Sequence, residues 1–411
     1  MLALDIRASE PPMKITRIET ISLAEFPNVI WVEVHTDAGH VGLGETFFGS
    51  QAIHAYVHET LAPQMLGQDA LRIEQHSRKL MQNYVGFKST GVEIRGASAF
   101  DLALWDIMGQ AAGMPLYQLL GGKCRDRIRV YNTCAGYRYV RAKANWGTDD
   151  WGIEKSQGPY EDLDAFLHRA DDLAESLIAE GYTGMKIWPF DHAAEATGGN
   201  DITAADLKKG MQPFEKIRTR VGDKIDIHVE MHGLWNLPTA MKIARAMEPL
   251  EPYWFEDPIR PSNIDALRAF RESTRIWTTA SETLASRWSF REVFEKQATS
   301  VAMLDIGWCG GLGEAKKIAT MAETYEIPVA PHDCTGPVLL TASVHLAMAS
   351  PNALVQEVVR AFYFGWYREL VDELPPLANG FIAPTEAPGL GVKLKPGLSS
   401  RADATVRVSA L

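Results

Sequence analysis

Six predicted strands in the second half of the chain each end in a polar or ionisable residue, at intervals of 23 to 27 residues. An interval of that length holds one strand and one helix, and this alternation predicts a parallel sheet closed into a barrel. Because the C-terminal ends of barrel strands meet at one mouth, we expect the six side chains to face a common site. In chain order they are Glu230, Glu256, Glu282, Asp305, His332 and Glu357.

The length of 411 residues leaves room for a second domain beside a barrel of about 250 residues. Strand patterns begin at Met13, and helical patterns follow as far as Gly113-Met114-Pro115, where a helix stop is expected. The predicted fold class is therefore α/β, a modified (β/α)8 TIM-type barrel with an N-terminal α+β capping domain. The predicted parts are an extension at 1–12, the capping domain at 13–125, the barrel at 126–372, and a C-terminal segment at 373–411 that returns to the capping domain.

The overall charge and hydropathy limit the classes of partner. A net charge of −11 without a dense run of Lys or Arg argues against nucleic acid and against an anionic membrane surface. The chain has no apolar run of about 18 residues and no signal-peptide pattern at its start, so a cytoplasmic enzyme is expected. Four cysteines without metal-ligand spacing indicate reduced thiols.

Three of the six strand-end residues are glutamates on successive strands. Glu230, Glu256 and Glu282 would repel one another at a shared mouth unless a cation lay between them. Oxygen ligands alone suit a hard cation such as Mg²⁺. The sequence thus predicts one Mg²⁺ per active site, held by these three glutamates.

Four motifs give the chain a family resemblance. They are ALWDIMGQAAGMPLYQLLGG at 103–122, WFEDP at 254–258, DIGWCGGLGEAKKIA at 305–319 and PGLGV at 388–392. With this layout the chain resembles the enolase superfamily, and His332 with Asp305 one strand earlier resembles its mandelate racemase subgroup. The resemblance implies removal of the proton α to a carboxylate, with Mg²⁺ stabilising the enediolate.

Within that resemblance, His332 is the expected base, because a neutral imidazole titrates near the working pH. Asp305 on the adjacent strand is expected to hold the second N–H of His332 and raise its basicity. Glu357 is expected to hydrogen-bond the substrate carboxylate or the enediolate. It would be the donor if its environment raised its pKa.

The second barrel strand distinguishes two kinds of chemistry. The racemase pattern ends this strand in Lys-x-Lys, whereas this chain has Lys186-Ile187-Trp188. Lys186 matches the lysine that neutralises a substrate carboxylate oxygen, while Trp188 replaces the second base and is expected to line the substrate site. A two-base proton transfer at one carbon is therefore disfavoured.

The third strand continues into Glu230-Met231-His232, and alternation along a strand predicts that His232 shares the inward face of Glu230. This pattern resembles sugar-acid dehydratases of the galactonate type, where the equivalent histidine is the general acid for the departing 3-hydroxyl. The first metal ligand in that family is normally Asp, and Glu230 moves the carboxylate outward by about 1.5 Å, one carbon–carbon bond.

The leading interpretation is a Mg²⁺-dependent lyase that dehydrates a small sugar acid to a 2-keto-3-deoxy acid. Two alternatives remain open: an isomerase, either a one-base epimerase or a lactone cycloisomerase, and a noncatalytic metal-binding scaffold. The family commonly forms dimers or octamers, so a homo-oligomer is expected. Candidate specificity segments by family analogy are the loops at 26–28 and 47–50, Tyr84, Phe87 and Lys88, and the insertion at 138–161.

Overall fold

The computed structural model describes residues 12–81, 90–139, 141, 147–153 and 158–411. Four antiparallel strands form a sheet in the order β14–β1–β2–β3. Three of them open the chain, and the fourth is its last element, so both ends of the chain are joined in one sheet. The strands are β1 (Ile15–Leu23), β2 (Phe26–Thr36), β3 (Val41–Phe47) and β14 (Ala404–Ala410).

Helices cover one face of this sheet. The long helix Val92–Ala112 packs closely on β3, since a Cβ added at Gly42 or Gly44 would overlap the carbonyl oxygen of Ala103 or Ala99. It ends at Gly113, which has the left-handed φ of 64° that favours glycine at a helix end. The other helices of this layer are Ser50–Ala55, the π-helix Tyr56–Leu61, Ala62–Met65 and Ile73–Met81, and the short helix Leu116–Leu119 then leads toward the barrel.

Eight parallel strands follow, and the last returns to the first. Neighbouring strands pair in chain order from β4 to β10, and β11 pairs with β4 through Glu357 and Tyr131. Between β10 and β11, the amide N–H of Leu354 donates to the carbonyl of Val329. The strands are β4 (Ile128–Thr133), β5 (Gly184–Ile187), β6 (Asp226–Glu230), β7 (Trp254–Glu256), β8 (Trp277–Ala280), β9 (Val301–Leu304), β10 (Val329–Pro331) and β11 (Gln356–Val358).

Helices alternate with these strands around the outside. The segment between β4 and β5 contains two helices, which are separated at Arg169. The helices are Asp162–His168, Ala170–Ala179, Asp191–Thr197, Ala204–Val221, Leu237–Met247, Ile264–Glu272, Ser286–Glu295, Ile306–Cys309, Leu312–Thr324, Pro337–Met348, Arg360–Tyr363 and Tyr367–Leu370. Short 3-10 turns lie at Thr148–Asp150, Glu248–Leu250 and Leu398–Ser400.

After the barrel, the chain forms a small hairpin of β12 (Leu377–Ala378) and β13 (Phe381–Ile382), which pairs with the start of β4. It then runs to β14 on the capping sheet. The expected fold class is confirmed: a TIM-type barrel carries a separate antiparallel capping sheet. The domain limits stay predictions, and the extension at 1–12 lies outside the described residues except for Pro12. Within the described residues, no helix is both long and apolar enough to cross a bilayer.

Candidate active site

A cavity of about 450 Å³ opens at the C-terminal ends of the barrel strands, and we call it the mouth cavity. Six residues expected at the site line it directly: Lys186, Trp188, Glu230, His232, Glu282 and His332. The other three, Glu256, Asp305 and Glu357, are at most 1% exposed and are not among the lining residues. The strand ends thus supply both the surface of the cavity and a buried layer of charge behind it.

Lys186 is the central cation of this layer. Its Nζ lies 3.1 Å from Glu230 Oε2, 2.5 Å from Glu256 Oε1 and 2.7 Å from Glu357 Oε1. Burial disfavours the charged ammonium, but the surrounding carboxylates outweigh it and hold the pKa of Lys186 well above its usual range. Lys186 was expected to meet a substrate carboxylate, and in this structure it also neutralises the carboxylates of the protein.

Glu357 is an acceptor in the structure. It accepts hydrogen bonds from the hydroxyl of Thr133 and from the amide N–H of Asp333, the latter at 2.9 Å. Burial favours its neutral form, but Lys186 and His332 outweigh burial and lower the pKa of Glu357. The shift is opposite to the one that a donor role requires, because Lys186 lies directly against this carboxylate.

His332 and Asp305 form the expected pair. His332 Nδ1 lies 2.7 Å from Asp305 Oδ2, and the other oxygen of Asp305 accepts the amide N–H of Gly307 at 2.7 Å. Asp305 is therefore fixed at both oxygens, and the Nε2 edge of His332 is left toward the cavity and Glu357, 4.0 Å away. Burial lowers the pKa of His332, but Glu357 and Asp305 raise it to about 9, above the near-neutral value expected from the sequence.

A second histidine–carboxylate pair lies across the barrel. His232 Nδ1 is 2.8 Å from Asp191 Oδ2, and Asp191 is 5% exposed. Burial lowers the pKa of His232, but Asp191 and Glu230 raise it to about 9. The sequence did not identify Asp191, because it lies beyond β5 in the helix Asp191–Thr197 and belongs to no strand-end pattern.

The reason given for His232 from the sequence does not hold, although His232 does line the cavity. Strand β6 ends at Glu230, and His232 adopts a left-handed backbone with φ 48°. Its amide N–H and that of Met231 both donate to Glu230 Oε1, at 2.7 and 3.0 Å. A tight turn closed on the Glu230 carboxylate, rather than strand alternation, brings the imidazole into the mouth cavity.

Aromatic side chains form one wall of the cavity. Trp188 is buried and lies 5.3 Å from Tyr139, 5.1 Å from Phe166 and 5.8 Å from His232, measured between ring centroids. Tyr139 and Trp151, also lining residues, come from the insertion at 138–161. The Trp188 ring of this wall packs edge-on against the His232 ring. Trp146 of the insertion, and Tyr84, Phe87 and Lys88, lie outside the described residues.

The capping domain completes the site. Asn28, near the start of β2, and Phe48, directly after β3, line the cavity, so the predicted loop at 26–28 is strand, and the role of both segments in specificity stays a prediction. Deeper, Thr46 Oγ1 donates to the carbonyl of Gly307 at 2.8 Å, next to the loop of Asp305. Glu45 accepts the amide N–H groups of Val338 and Leu339, at the start of the helix that follows His332. The capping sheet therefore contacts the two helices that follow Asp305 and His332.

The donor set in the mouth suits a divalent cation in charge and in chemistry. Glu282 Oε2 is buried and has no hydrogen-bond partner among the described residues. Burial and the nearby Glu282 carboxylate raise the pKa of Asp257 well above its usual range, a sign of excess negative charge that a cation relieves. Glu230 and Glu256 offer further carboxylate oxygens, so the residues fit Mg²⁺.

Within the part of the chain that the structure describes, the three glutamates do not share one tight cluster, although Lys186 contacts both Glu230 and Glu256. Among the described residues, one group of three or more possible metal ligands has all its ligand atoms within 4.8 Å of one another. It consists of Glu19, Glu33 and His35 on the capping sheet. Arg17 is paired with Glu19 there, so that group already contains its cation. The metal assignment of Glu230, Glu256 and Glu282 stays a prediction.

Two family models match the chain. Residues 3–121 match the mandelate racemase / muconate lactonizing enzyme N-terminal domain, and residues 169–398 match the enolase C-terminal domain-like model. D-galactonate dehydratase of Ralstonia nicotianae is 31% identical over 394 residues, which are 94% of this chain and 93% of that enzyme. D-xylonate dehydratase of Haloferax volcanii is 29% identical over 93% of this chain and 87% of that enzyme.

Solved structures agree in fold. A crystal structure of an enolase of the mandelate racemase subgroup from Agrobacterium tumefaciens is 48% identical, with a TM-score of 0.86 over 97% of this chain and 99% of that one. An enolase protein from the Sargasso Sea environmental genome is 44% identical, with a TM-score of 0.86 over the same shares. The family expected from the sequence is confirmed. The chain belongs to the mandelate racemase and muconate lactonizing enzyme family of the enolase superfamily.

Proposed function

We propose that this protein is a Mg²⁺-dependent sugar-acid dehydratase, a hydro-lyase that converts a polyhydroxy acid to a 2-keto-3-deoxy acid. The observation that carries the proposal is the placement of two histidine–carboxylate pairs on one cavity. His332 follows β10 and His232 follows β6, four strands apart in an eight-stranded barrel, so the two imidazoles approach from opposite sides. Elimination of water needs one base and one acid in such a place.

In the first step, the bond between C2 and its hydrogen breaks and the proton moves to His332 Nε2. Asp305 holds the other nitrogen of this ring and favours the imidazolium that forms. Lys186 supplies positive charge in the floor of the cavity, where negative charge develops on the substrate carboxylate. Mg²⁺ held by Glu230, Glu256 and Glu282 would supply Lewis-acid stabilisation of the enediolate.

In the second step, the electron pair forms the C2–C3 double bond and the C3–O bond breaks. The departing oxygen takes a proton from His232 and leaves as water. The enol then gains a proton at C3 and becomes the 2-keto-3-deoxy acid. Glu357, ionised and buried, orients Lys186 and His332 rather than donating a proton, since its pKa is lowered.

The substrate is proposed from the site and from the names of the relatives. Because the net charge of the chain is −11, an anionic substrate has to be attracted by local cations, and the mouth cavity is lined by Lys186, Arg260 and two histidines. Two similar proteins are a D-galactonate dehydratase and a D-xylonate dehydratase, so D-galactonate and D-xylonate are the first acids to test. A homo-oligomer located in the cytoplasm completes the proposal.

The isomerase alternative shares the first step but not the second. With Trp188 at the position of the second lysine, an epimerase would have to return the proton through one base. The acid at His232 favours dehydration over that route.

The test is mass spectrometry of sugar acids and lactones incubated with Mg²⁺ and the protein in D₂O. A product lighter by one water, with deuterium at C3, supports the dehydratase. Deuterium at C2 without loss of water supports the isomerase instead. His332→Asn should abolish either signal, whereas His168→Asn, at an exposed histidine on an outer helix, should leave both unchanged.

A further inference from the structure

The Asp191 carboxylate holds the His232 ring in an orientation that suits proton donation in the dehydration step. The two residues follow adjacent strands, β5 and β6, and meet at 2.8 Å between Asp191 Oδ2 and His232 Nδ1. Both line the mouth cavity. With Nδ1 held by the carboxylate, Nε2 is the nitrogen that remains to face a bound substrate.

The backbone of His232 is held in an uncommon conformation. Its φ of 48° lies in the left-handed region, which is unfavourable for a residue other than glycine. Gly233 follows with φ 63°, and the hydrogen bonds from the two amide N–H groups of Met231 and His232 to Glu230 Oε1 close the turn. Strain of this kind persists where the surroundings over-determine a conformation, and such places cluster at functional sites.

The side-chain contacts of Asp191 point to the same use. Although Asp191 begins a helix, the hydrogen bond that its side chain makes within the described residues goes to His232. Its second oxygen, Oδ1, is buried without a partner among the described residues. A buried carboxylate bonded to one imidazole contributes little to the fold itself, because burying it costs free energy.

Trp188 fixes the remaining freedom of the ring. Its indole lies edge-on to His232, with 5.8 Å between ring centroids and an interplanar angle of 74°. The imidazole is thus held by a hydrogen bond at Nδ1 and by an aromatic wall beside it. Rotation that would turn Nε2 away from the cavity breaks the bond to Asp191.

We propose that Asp191 is a positioning residue for the elimination step, and this rests on the proposed dehydratase function. It holds the His232 ring so that Nε2 meets the departing 3-hydroxyl. The C3–O bond breaks, its electron pair stays on oxygen, and the proton on Nε2 converts that oxygen to water. Asp191 takes no part in removal of the α-proton, which belongs to His332 on the opposite side.

The experiment compares two leaving groups. Asp191→Asn and wild-type holoenzyme are assayed with two substrates. One is D-galactonate, or whichever acid the mass spectrometry test identifies, and the other is the 3-deoxy-3-fluoro analogue of that acid. Fluoride departs without prior protonation, whereas hydroxide does not. We expect Asp191→Asn to lower kcat for loss of water by about 10²-fold or more, the range of one acid–base contribution.

For the fluoro analogue, we expect Asp191→Asn to stay close to wild type. Exchange of the α-proton with D₂O should also persist in Asp191→Asn. His332→Asn should lose water elimination, fluoride elimination and exchange together. Asp191→Glu should recover part of the loss, and Asp164→Asn, whose carboxylate lies beside an exposed histidine, should behave as wild type.

Equal losses of water and fluoride elimination in Asp191→Asn would overturn the inference, because they would indicate a general disturbance of the site. A rise in KM with unchanged kcat would also overturn it and would assign Asp191 to substrate binding. If wild type eliminates neither water nor fluoride from any acid, the dehydratase function itself fails. That outcome differs from the others because it appears in the wild-type protein.

Discussion

Replacement of Asp305 by Asn tests the base assignment most directly. Asp305 Oδ1 accepts the amide N–H of Gly307 at 2.7 Å, and Oδ2 faces His332 Nδ1 at 2.7 Å. In Asp305→Asn, the side-chain amide oxygen must remain on Gly307, since the opposite orientation sets two donors against each other. That clash would leave a buried donor unsatisfied, at a cost of about 1–3 kcal/mol.

The side-chain NH₂ group of the Asp305→Asn variant would then face His332 Nδ1 and force that nitrogen to accept. The proton of the neutral ring would move to Nε2, the atom that must be free to take the α-proton. Holding the ring in the wrong tautomer while its shape is kept lowers kcat by about 10²- to 10⁴-fold. This equals about 3–5 kcal/mol of transition-state stabilisation.

The assay measures kcat for loss of water and the rate of α-proton exchange in D₂O, both of which should fall together. Asp164→Asn, at a partly buried carboxylate on an outer helix, 3.8 Å from His168, is the matched control and should change neither rate. Circular dichroism should show both variants folded. A folded Asp305→Asn with both rates close to those of wild type would refute the assignment of His332 as an oriented base.

Two further predictions concern stability. Burial raises the pKa of Glu45 from 4.5 to about 8, so between these pH values the folded state keeps a proton that the unfolded state has released. The stabilisation of the folded state by protonated Glu45 is therefore complete below pH 4.5 and is lost toward pH 8, at about 1.4 kcal/mol of unfolding free energy per pH unit. The urea midpoint of wild type should therefore fall relative to Glu45→Gln between pH 5 and pH 8, and a constant difference over this range would show that three donors, from Trp31, Val338 and Leu339, keep this carboxylate ionised. Arg360 is 2% exposed and donates hydrogen bonds to both oxygens of Asp162, each at 2.7 Å. Arg360→Met should lower the free energy of unfolding in urea by about 3–5 kcal/mol, because it leaves the buried Asp162 carboxylate without its charge partner. Adding Asp162→Asn to that variant should restore part of the loss, and an unchanged midpoint in the single variant would contradict the role of this buried pair.

The regular spacing of strand-end residues was enough to predict the barrel. Glu230 and Glu256 end β6 and β7, and Asp305 and His332 directly follow β9 and β10. A period near 25 residues is a local property, because each strand and helix repeats the same length. Once neighbouring strands pair, their C-terminal ends lie side by side, so residues about 25 positions apart come together without any long-range signal in the sequence.

The partners of those residues were less accessible to prediction. Asp191 lies 41 positions from His232 and belongs to a helix, so no periodicity relates the two. The turn at His232 also departs from strand alternation, with φ 48° where an extended residue was expected. Such contacts depend on how loops close, and loop closure is decided by packing among several elements.

The sequence by itself determined the barrel, the capping domain and which ionisable residues stand at the strand ends, because hydrophobic periodicity and strand-end chemistry are read along the chain. Tertiary structure alone decided which charges meet. Lys186 is placed among Glu230, Glu256 and Glu357, and this contact lowers the pKa of Glu357 instead of raising it. Electrostatic shifts depend on distances of a few ångströms and on burial, and neither quantity exists until the strands are packed around one axis.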